Sequence, residues 1–168
     1  MTELWDVYDG QARKTGRTMK RGTPKDGDYM LCAHVYIYTS ERKFLVQKRA
    51  LSKELHPGEW DITVGAVLAG EESIAGAIRE TKEEIGIDIS EEDLYLAGRV
   101  KKQNKFIDIY FVKKDFDIAC CELQEEEVAD VKFIEVSKLI DIEKNGRKRD
   151  EAYMNIIYDA IKKLGIAL

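Results

Sequence analysis

From Met30 to Thr39 the chain reads MLCAHVYIYT, rich in β-branched and aromatic residues. That composition predicts a well-buried strand. SERK then turns the chain, and FLVQKRA (Phe44 to Ala50) is expected to return as a second strand beside the first. Upstream, LWDVYD (Leu4 to Asp9) alternates as a short strand. After a turn at Gly10, KTGRTMKRG supplies the return of a hairpin. GTPKDGD and LSKELHPGEW read as loops by their turn-forming residues, and DITVGAVLAG as a strand followed by a turn. DLYLAGRVKK and KFIDIYFVKK form a strand pair around Gln103 and Asn104, and VADVKFIEV is a further strand. The period changes in EESIAGAIRETKEEIG. There Ile74, Ala77, Ile78, Thr81 and Ile85 recur at helical spacing, and Gly86 marks a stop. After Ser137 the pattern is helical again, and DEAYMNIIYDAIKKLG is an amphipathic final helix. Strands dominate over two clear helices, which predicts an α+β fold; with no repeat or linker, residues 1–168 read as one domain.

Composition narrows the function classes. At 168 residues with 44% hydrophobic and 35% charged, the chain can bury a core without staples, and no apolar run is long enough to span a bilayer. The start, MTELWDVYDG, lacks the basic-then-apolar layout of a signal peptide, so a cytoplasmic location and no membrane association are expected. A net charge of −5 argues against binding a nucleic-acid polymer. Two local basic clusters stand out all the same, RKTGRTMKR (Arg13 to Arg21) and QKRALSK (Gln47 to Lys53). Cys32, Cys120 and Cys121 are odd in number and lack CxxC spacing, which predicts reduced thiols rather than disulfides or a zinc site.

The helix carries an unusual concentration of charge. At about 100° per residue, Glu84 lies roughly 40° to one side of Glu80 and Glu83 roughly 60° to the other, so three acids share an arc of about 100°. Like charges this close destabilise a helix unless something offsets them. A solvated acidic face is one reading. The other is a cluster of hard oxygens for a divalent cation. Arg79 adjoins the acids and is placed to hold a carboxylate, and the preceding loop can bring Glu71 and backbone carbonyls to the same place. Gly76 falls in the same arc, where it either leaves the surface above it open or permits close packing.

Gly65, Glu71, Arg79-Glu80, Glu83-Glu84 and Gly86-Ile87 resemble the Nudix box, G-x5-E-x7-R-E-U-x-E-E-x-G-U, over residues 65–87. Thr81 is the one departure, where the pattern prefers a bulky aliphatic residue. The resemblance implies a mixed β-sheet sandwiched between α-helices and a Mg²⁺- or Mn²⁺-dependent hydrolase. Its substrate would be a nucleoside diphosphate linked to another group, or a similar organic diphosphate. It implies Glu80, Glu83 and Glu84 as metal ligands, a backbone carbonyl near Val64 or Gly65 as another, Glu71 as support for the metal, and Arg79 as the residue orienting the glutamates.

The stretch FLVQKRALSKELHPGEWDITVGAV also resembles isopentenyl diphosphate isomerases and isomerase-like Nudix hydrolases, in which residues matching Arg49 and Lys53 hold the diphosphate. Solvated strand-end charges are the plainer reading of that pair. The isomerases' catalytic cysteine has no counterpart in DITVGAV, and the histidine position of their metal site falls on Met30. His34 is expected to pack within its strand, and His56 to serve a turn or touch substrate. One more carboxylate for proton transfer is expected from QEEEVAD, with Glu127 preferred over Glu125 and Glu126. Three readings result: a Nudix diphosphate hydrolase in front, an isopentenyl diphosphate isomerase or prenyl diphosphate hydrolase behind it, and a non-catalytic nucleotide-binding Nudix module last. A homodimer is a common outcome for such folds.

Overall fold

The computed structural model describes residues 2–168. Nine strands and three helices follow the predicted order: β1 (Leu4–Tyr8), β2 (Lys14–Lys20), β3 (Met30–Tyr38), β4 (Phe44–Arg49), β5 (Trp60–Asp61), β6 (Thr63–Ala66), α1 (Ser73–Ile85), β7 (Leu94–Lys101), β8 (Lys105–Lys113), β9 (Val128–Ile134), α2 (Val136–Asp141) and α3 (Glu151–Lys163). The β1–β2 hairpin is a separate two-stranded sheet. The other strands form one mixed seven-stranded sheet, ordered β5-β4-β3-β8-β7 with β6 on β3 and β9 on β4. β3 and β8 pair in parallel along their whole length, and β7 and β8 form the expected antiparallel hairpin.

β3 explains the sandwich. All but its last residue are buried, because helices cover both of its faces. On one side Cys32 and Tyr36 share a core cluster with Tyr153, Met154, Ile157 and Ile161 of α3. Leu31, Ala33, Val35 and Ile37 meet Ala77 and Ile85 of α1 on the other. Such two-sided burial removes the polar alternation seen in half-exposed strands.

The expected β3–β4 hairpin forms only at its turn. Tyr38 pairs with Phe44, and beyond that point the strands part. β3 takes β6 as its neighbour while β4 takes β9 and β5. The segment expected as one strand, DITV, therefore crosses the opening: Asp61 pairs with Gln47 of β4, and Thr63 with Val35 of β3. Gln47, buried inside the split, explains why it stays open. Its amide nitrogen donates to Glu84 Oε2 at 2.7 Å and its oxygen accepts from Thr63 Oγ1 at 3.1 Å. A buried amide bonded on both sides is stable there, whereas an unpaired one costs a few kcal/mol.

The helix α1 follows its sequence closely. Ala77, Thr81 and Ile85 are buried, and Gly86 takes a left-handed φ of 73° to close the C-terminus. Thr81 faces the core and donates from Oγ1 to the Ala77 carbonyl at 2.8 Å, so the departure from the box pattern is accommodated. Gly76 serves packing: a Cβ there would stand 3.1 Å from Glu71 Oε2 and 3.3 Å from Val67 Cγ2. No helix among the described residues is long and apolar enough to cross a membrane.

Candidate functional site

The mouth of the split between β4 and β6 is a cleft of about 310 Å³. Gly65, Glu80, Glu83 and Glu84 line it, and Glu127, just before β9, joins them together with Arg49 and Lys53. Trp5, Met30, Cys32, Val64 and Ala66 form an apolar wall.

Each acid is held differently. Arg79 reaches into the loop before α1 and bonds Glu71 through Nε at 2.9 Å and Nη2 at 3.1 Å. Its Nη1 holds Glu80 at 2.8 Å and Glu83 at 3.1 Å, and Nη2 also donates to the Ala66 carbonyl at 2.9 Å. One guanidinium thus ties the box loop to two acids of α1, the planar fork for which arginine is suited. Glu71 also accepts from the Leu68 amide at 2.9 Å. Its oxygens are engaged by the loop and Arg79, and it does not line the cleft. Glu71 thus stands as a bonding partner of Arg79 and of the loop, outside the lining of the cleft.

The even acidic face read from the helical wheel is not what forms. Glu83 is exposed, Glu80 half-buried and Glu84 only 6% exposed. Burial pushes the Glu84 carboxyl up to about 8, reinforced by the charges of Glu80 and Glu127 and opposed by the Gln47 bond. Burial also raises Glu80, against the pull of Arg79. Lys53 Nζ meets Glu127 Oε2 at 2.5 Å. As the side chains stand, no trio of acidic, histidine or cysteine groups among the described residues already converges as a metal cage. The chemistry of the donors nonetheless suits a hard divalent cation. Five carboxylates, those of Glu3, Glu80, Glu83, Glu84 and Glu127, line one cleft, and burial holds Glu80 and Glu84 toward the protonated form.

A pH dependence follows. Glu84 is raised from 4.5 to about 8 in the fold, so the folded state binds the extra proton between those values. Its contribution is intact below about pH 4.5 and lost as pH rises toward 8, by on the order of a few kcal/mol. Thermal melts in EDTA are expected to show falling Tm across that window, with the fall flattened in Glu84→Gln. A flat wild-type profile would remove the buried-carboxyl account.

Among the other expected residues, Glu126 faces an outer extension of the cleft and Glu125 lines neither part. His34 is buried, with Nδ1 2.7 Å from the Tyr153 hydroxyl, and is outside the cleft. His56 is exposed in its loop, 3.1 Å from Glu59. Cys32 lines the cleft because β3 sets it opposite Ala66 of β6, and burial raises its thiol to about 11. Register, invisible in a single strand's sequence, is what brings it there. Trp5 arrives on the N-terminal hairpin, which is anchored by Ala69 N to Leu4 O at 2.8 Å and Gly70 N to Asp6 Oδ2 at 2.9 Å. A long-range contact of that kind has no local signal.

A mixed sheet between helices, with an acidic helix facing basic side chains across a cleft, defines a class of phosphate-handling hydrolases. The NUDIX domain model matches residues 28–155, and the chain belongs to the Nudix family as a Nudix-type hydrolase. An uncharacterised Nudix hydrolase of Listeria innocua is 33% identical over 159 residues, covering 94% of both chains. An isopentenyl-diphosphate Delta-isomerase of Streptomyces avermitilis is 28% identical, covering 76% of this chain and 67% of its own. The crystal structure of protein DR0079 from Deinococcus radiodurans superimposes with a TM-score of 0.68 at 18% identity, covering 82% of this chain and 86% of that one, and shows the shared fold.

Proposed function

We propose that the chain, working as one domain over residues 1–168, is a Mg²⁺- or Mn²⁺-dependent hydrolase of a diphosphate linkage in a small organic or nucleotide substrate. The observation that carries the reading is the convergence of Glu80, Glu83, Glu84 and Glu127 with Arg49 and Lys53 on one cleft. Acids alone would repel a diphosphate and bases alone would not activate water. Glu80, Glu83 and Glu84 would hold the cation, with the backbone at Gly65 beside them. Bound there, the ion supplies charge neutralisation and Lewis-acid polarisation of the phosphoryl group.

The chain's own groups do the rest. Arg79 keeps Glu80 and Glu83 aligned while Glu71 fixes Arg79 from behind. Arg49 and Lys53 take phosphoryl oxygens by charge-assisted hydrogen bonds. When Lys53 turns to the substrate it releases Glu127, whose carboxylate then accepts the proton of the attacking water. The products leave as two phosphate-bearing fragments, with the water's oxygen on one of them.

The test is a panel of linked diphosphates assayed for released phosphate or pyrophosphate. Cleavage of at least one is expected, lost in EDTA and restored by Mg²⁺ or Mn²⁺. Glu127→Gln should lower kcat by about 10²–10⁴-fold, as for loss of a general base, and Glu83→Gln and Glu84→Gln should lose most of kcat with the fold retained. Near wild-type rates in all three would leave the acids as a structural cluster.

A second reading has one observation in its favour. The neutral thiol of Cys32 lines the cleft, and allylic isomerisation needs an acid that protonates a double bond. Isopentenyl diphosphate therefore belongs in the panel. Formation of dimethylallyl diphosphate, abolished by Cys32→Ala, would move the chain to that branch.

A further inference from the structure

The basic cluster Arg13 to Arg21 has no part in the reaction described above, yet one of its members reaches the cleft. Arg13, Lys14 and Arg17 are committed elsewhere: Arg13 to Asp9 at 2.9 Å, Lys14 to Asp6 and Glu72 at 3.2 Å, and Arg17 to Asp28 at 2.7 Å. Arg21 follows the end of β2 and has only a loose contact, 3.8 Å to Glu3, with 61% of its side chain exposed. It lines the cleft, and it also lines an outer extension of about 380 Å³ together with Arg49, Lys53 and Ser52. The two basic clusters of the sequence thus meet at one place, although about thirty residues separate them in the chain.

The cleft lining carries both signs, with Glu3, Glu80, Glu83, Glu84 and Glu127 beside Arg21, Arg49 and Lys53, while Arg79 bonds Glu80 and Glu83 from outside that lining. The outer extension presents Arg21, Arg49 and Lys53 against Glu54 and Glu126. Arg49 is poorly neutralised: its Nε bonds the Leu55 carbonyl at 3.0 Å, and no carboxylate among the described residues forms an ion pair with it. Arg49 and Lys53 suffice for the outer phosphoryl group of a diphosphate. A third cation in the same lining, exposed and weakly paired, is a guanidinium set for a further anion.

We infer that Arg21 is an anion-binding residue of this cleft and that the preferred substrate carries a third phosphate-type group beyond the linkage that is cut. The inference rests on the diphosphate-hydrolase reading and adds the substrate's charge class to it. A prenyl diphosphate has no third anion. A nucleoside triphosphate, or a linked diphosphate bearing one more phosphate, has it.

Binding separates the two. The probes are methylenediphosphonate and its bis-methylene triphosphate homologue, neither of which is cleaved, titrated by calorimetry at fixed free Mg²⁺. The triphosphate homologue is expected to bind wild type about tenfold tighter, a difference of about 1.4 kcal/mol. Arg21→Gln should remove most of that advantage and leave the diphosphonate affinity unchanged, and Arg21→Lys should keep part of it. Arg21 is exposed, so an unchanged Tm is the control for folding. An equal affinity of wild type for both probes, or an equal loss for both in Arg21→Gln, overturns the inference. The hydrolase reading falls separately, by the absence of any turnover on the substrate panel.

Discussion

Gly65→Ala is expected to cut kcat/KM by about 10²-fold or more while the protein stays folded, because a misplacement near 1 Å in a catalytic group carries a cost of that order. A Cβ built on Gly65 lies 2.0 Å from Glu80 Cγ, 2.1 Å from Cδ and 2.5 Å from Oε1. No real contact is that short, so Glu80 must swing away. The backbone of Gly65 does not require a left-handed φ, and alanine is compatible with β6. The obstructing atoms run from Cγ outward along one flexible side chain and include no backbone, so turning Glu80 about χ1 lets the fold absorb the change at the expense of the cleft. Steady-state kinetics beside a thermal melt checks both halves. A double-mutant cycle sharpens it. If the effect passes through Glu80, adding Gly65→Ala to Glu80→Gln should cost little further, since effects through one shared group are not additive. Wild-type kcat/KM in Gly65→Ala would show that the position of Glu80 does not matter to the reaction.

The same contact shows what the sequence displays and what it hides. The likeness to the Nudix box marks Gly65, Glu71, Arg79, Glu80, Glu83 and Glu84 as a group, and local period gives α1, α3 and most of the strands. Local pattern cannot show which strand neighbours which. Where β3 parts from β4, Gln47 is buried and bonds Glu84 of α1 and Thr63 of β6, partners its own strand's sequence does not show. Glu84 looks equivalent to Glu83 on a helical wheel. It is buried where it bonds Gln47, whereas Glu83 stays exposed at the cleft. Glu71 is legible as part of the box, but its role turns on the direction of Arg79, a side-chain choice made in three dimensions. Cys32, Trp5 and Arg21 reach the cleft through register and hairpin docking, which link positions far apart in the chain.

The least legible feature carries the largest expected effect on stability. NGRKRDE (Asn145 to Glu151) carries no local signal of burial, yet Arg149 runs inward on the face of the sheet opposite α1. Its Nε holds Glu143 Oε2 at 2.8 Å, Nη2 lies 3.3 Å from Asp61 Oδ1, and the guanidinium stands 4.8 Å from the Tyr153 ring centre. Glu143 is 0% and Asp61 1% exposed. Arg147 Nε is 3.0 Å from Asp61 Oδ2, an ion contact whose angle misses hydrogen-bond geometry, so Asp61 keeps a second cation and Glu143 has no other ion pair among the described residues. Arg149→Met therefore strands a buried carboxylate and is expected to cost about 3–5 kcal/mol, the range for breaking a buried pair from one side, or roughly 10 °C in Tm for a chain of this size. Burial already raises Glu143 above 4.5, against the pull of Arg149. Without that cation its folded-state pKa rises further above the unfolded value. The added penalty is then absent below about pH 4.5 and grows as pH climbs through the raised value. Urea melts at several pH values are expected to show the defect shrinking toward acid. Arg149→Met combined with Glu143→Leu should recover much of the loss, because an apolar replacement of both partners is often neutral. A pH-independent loss below about 1 kcal/mol in the single variant would be the size of an exposed pair, and would mean that Arg149 is not what neutralises Glu143.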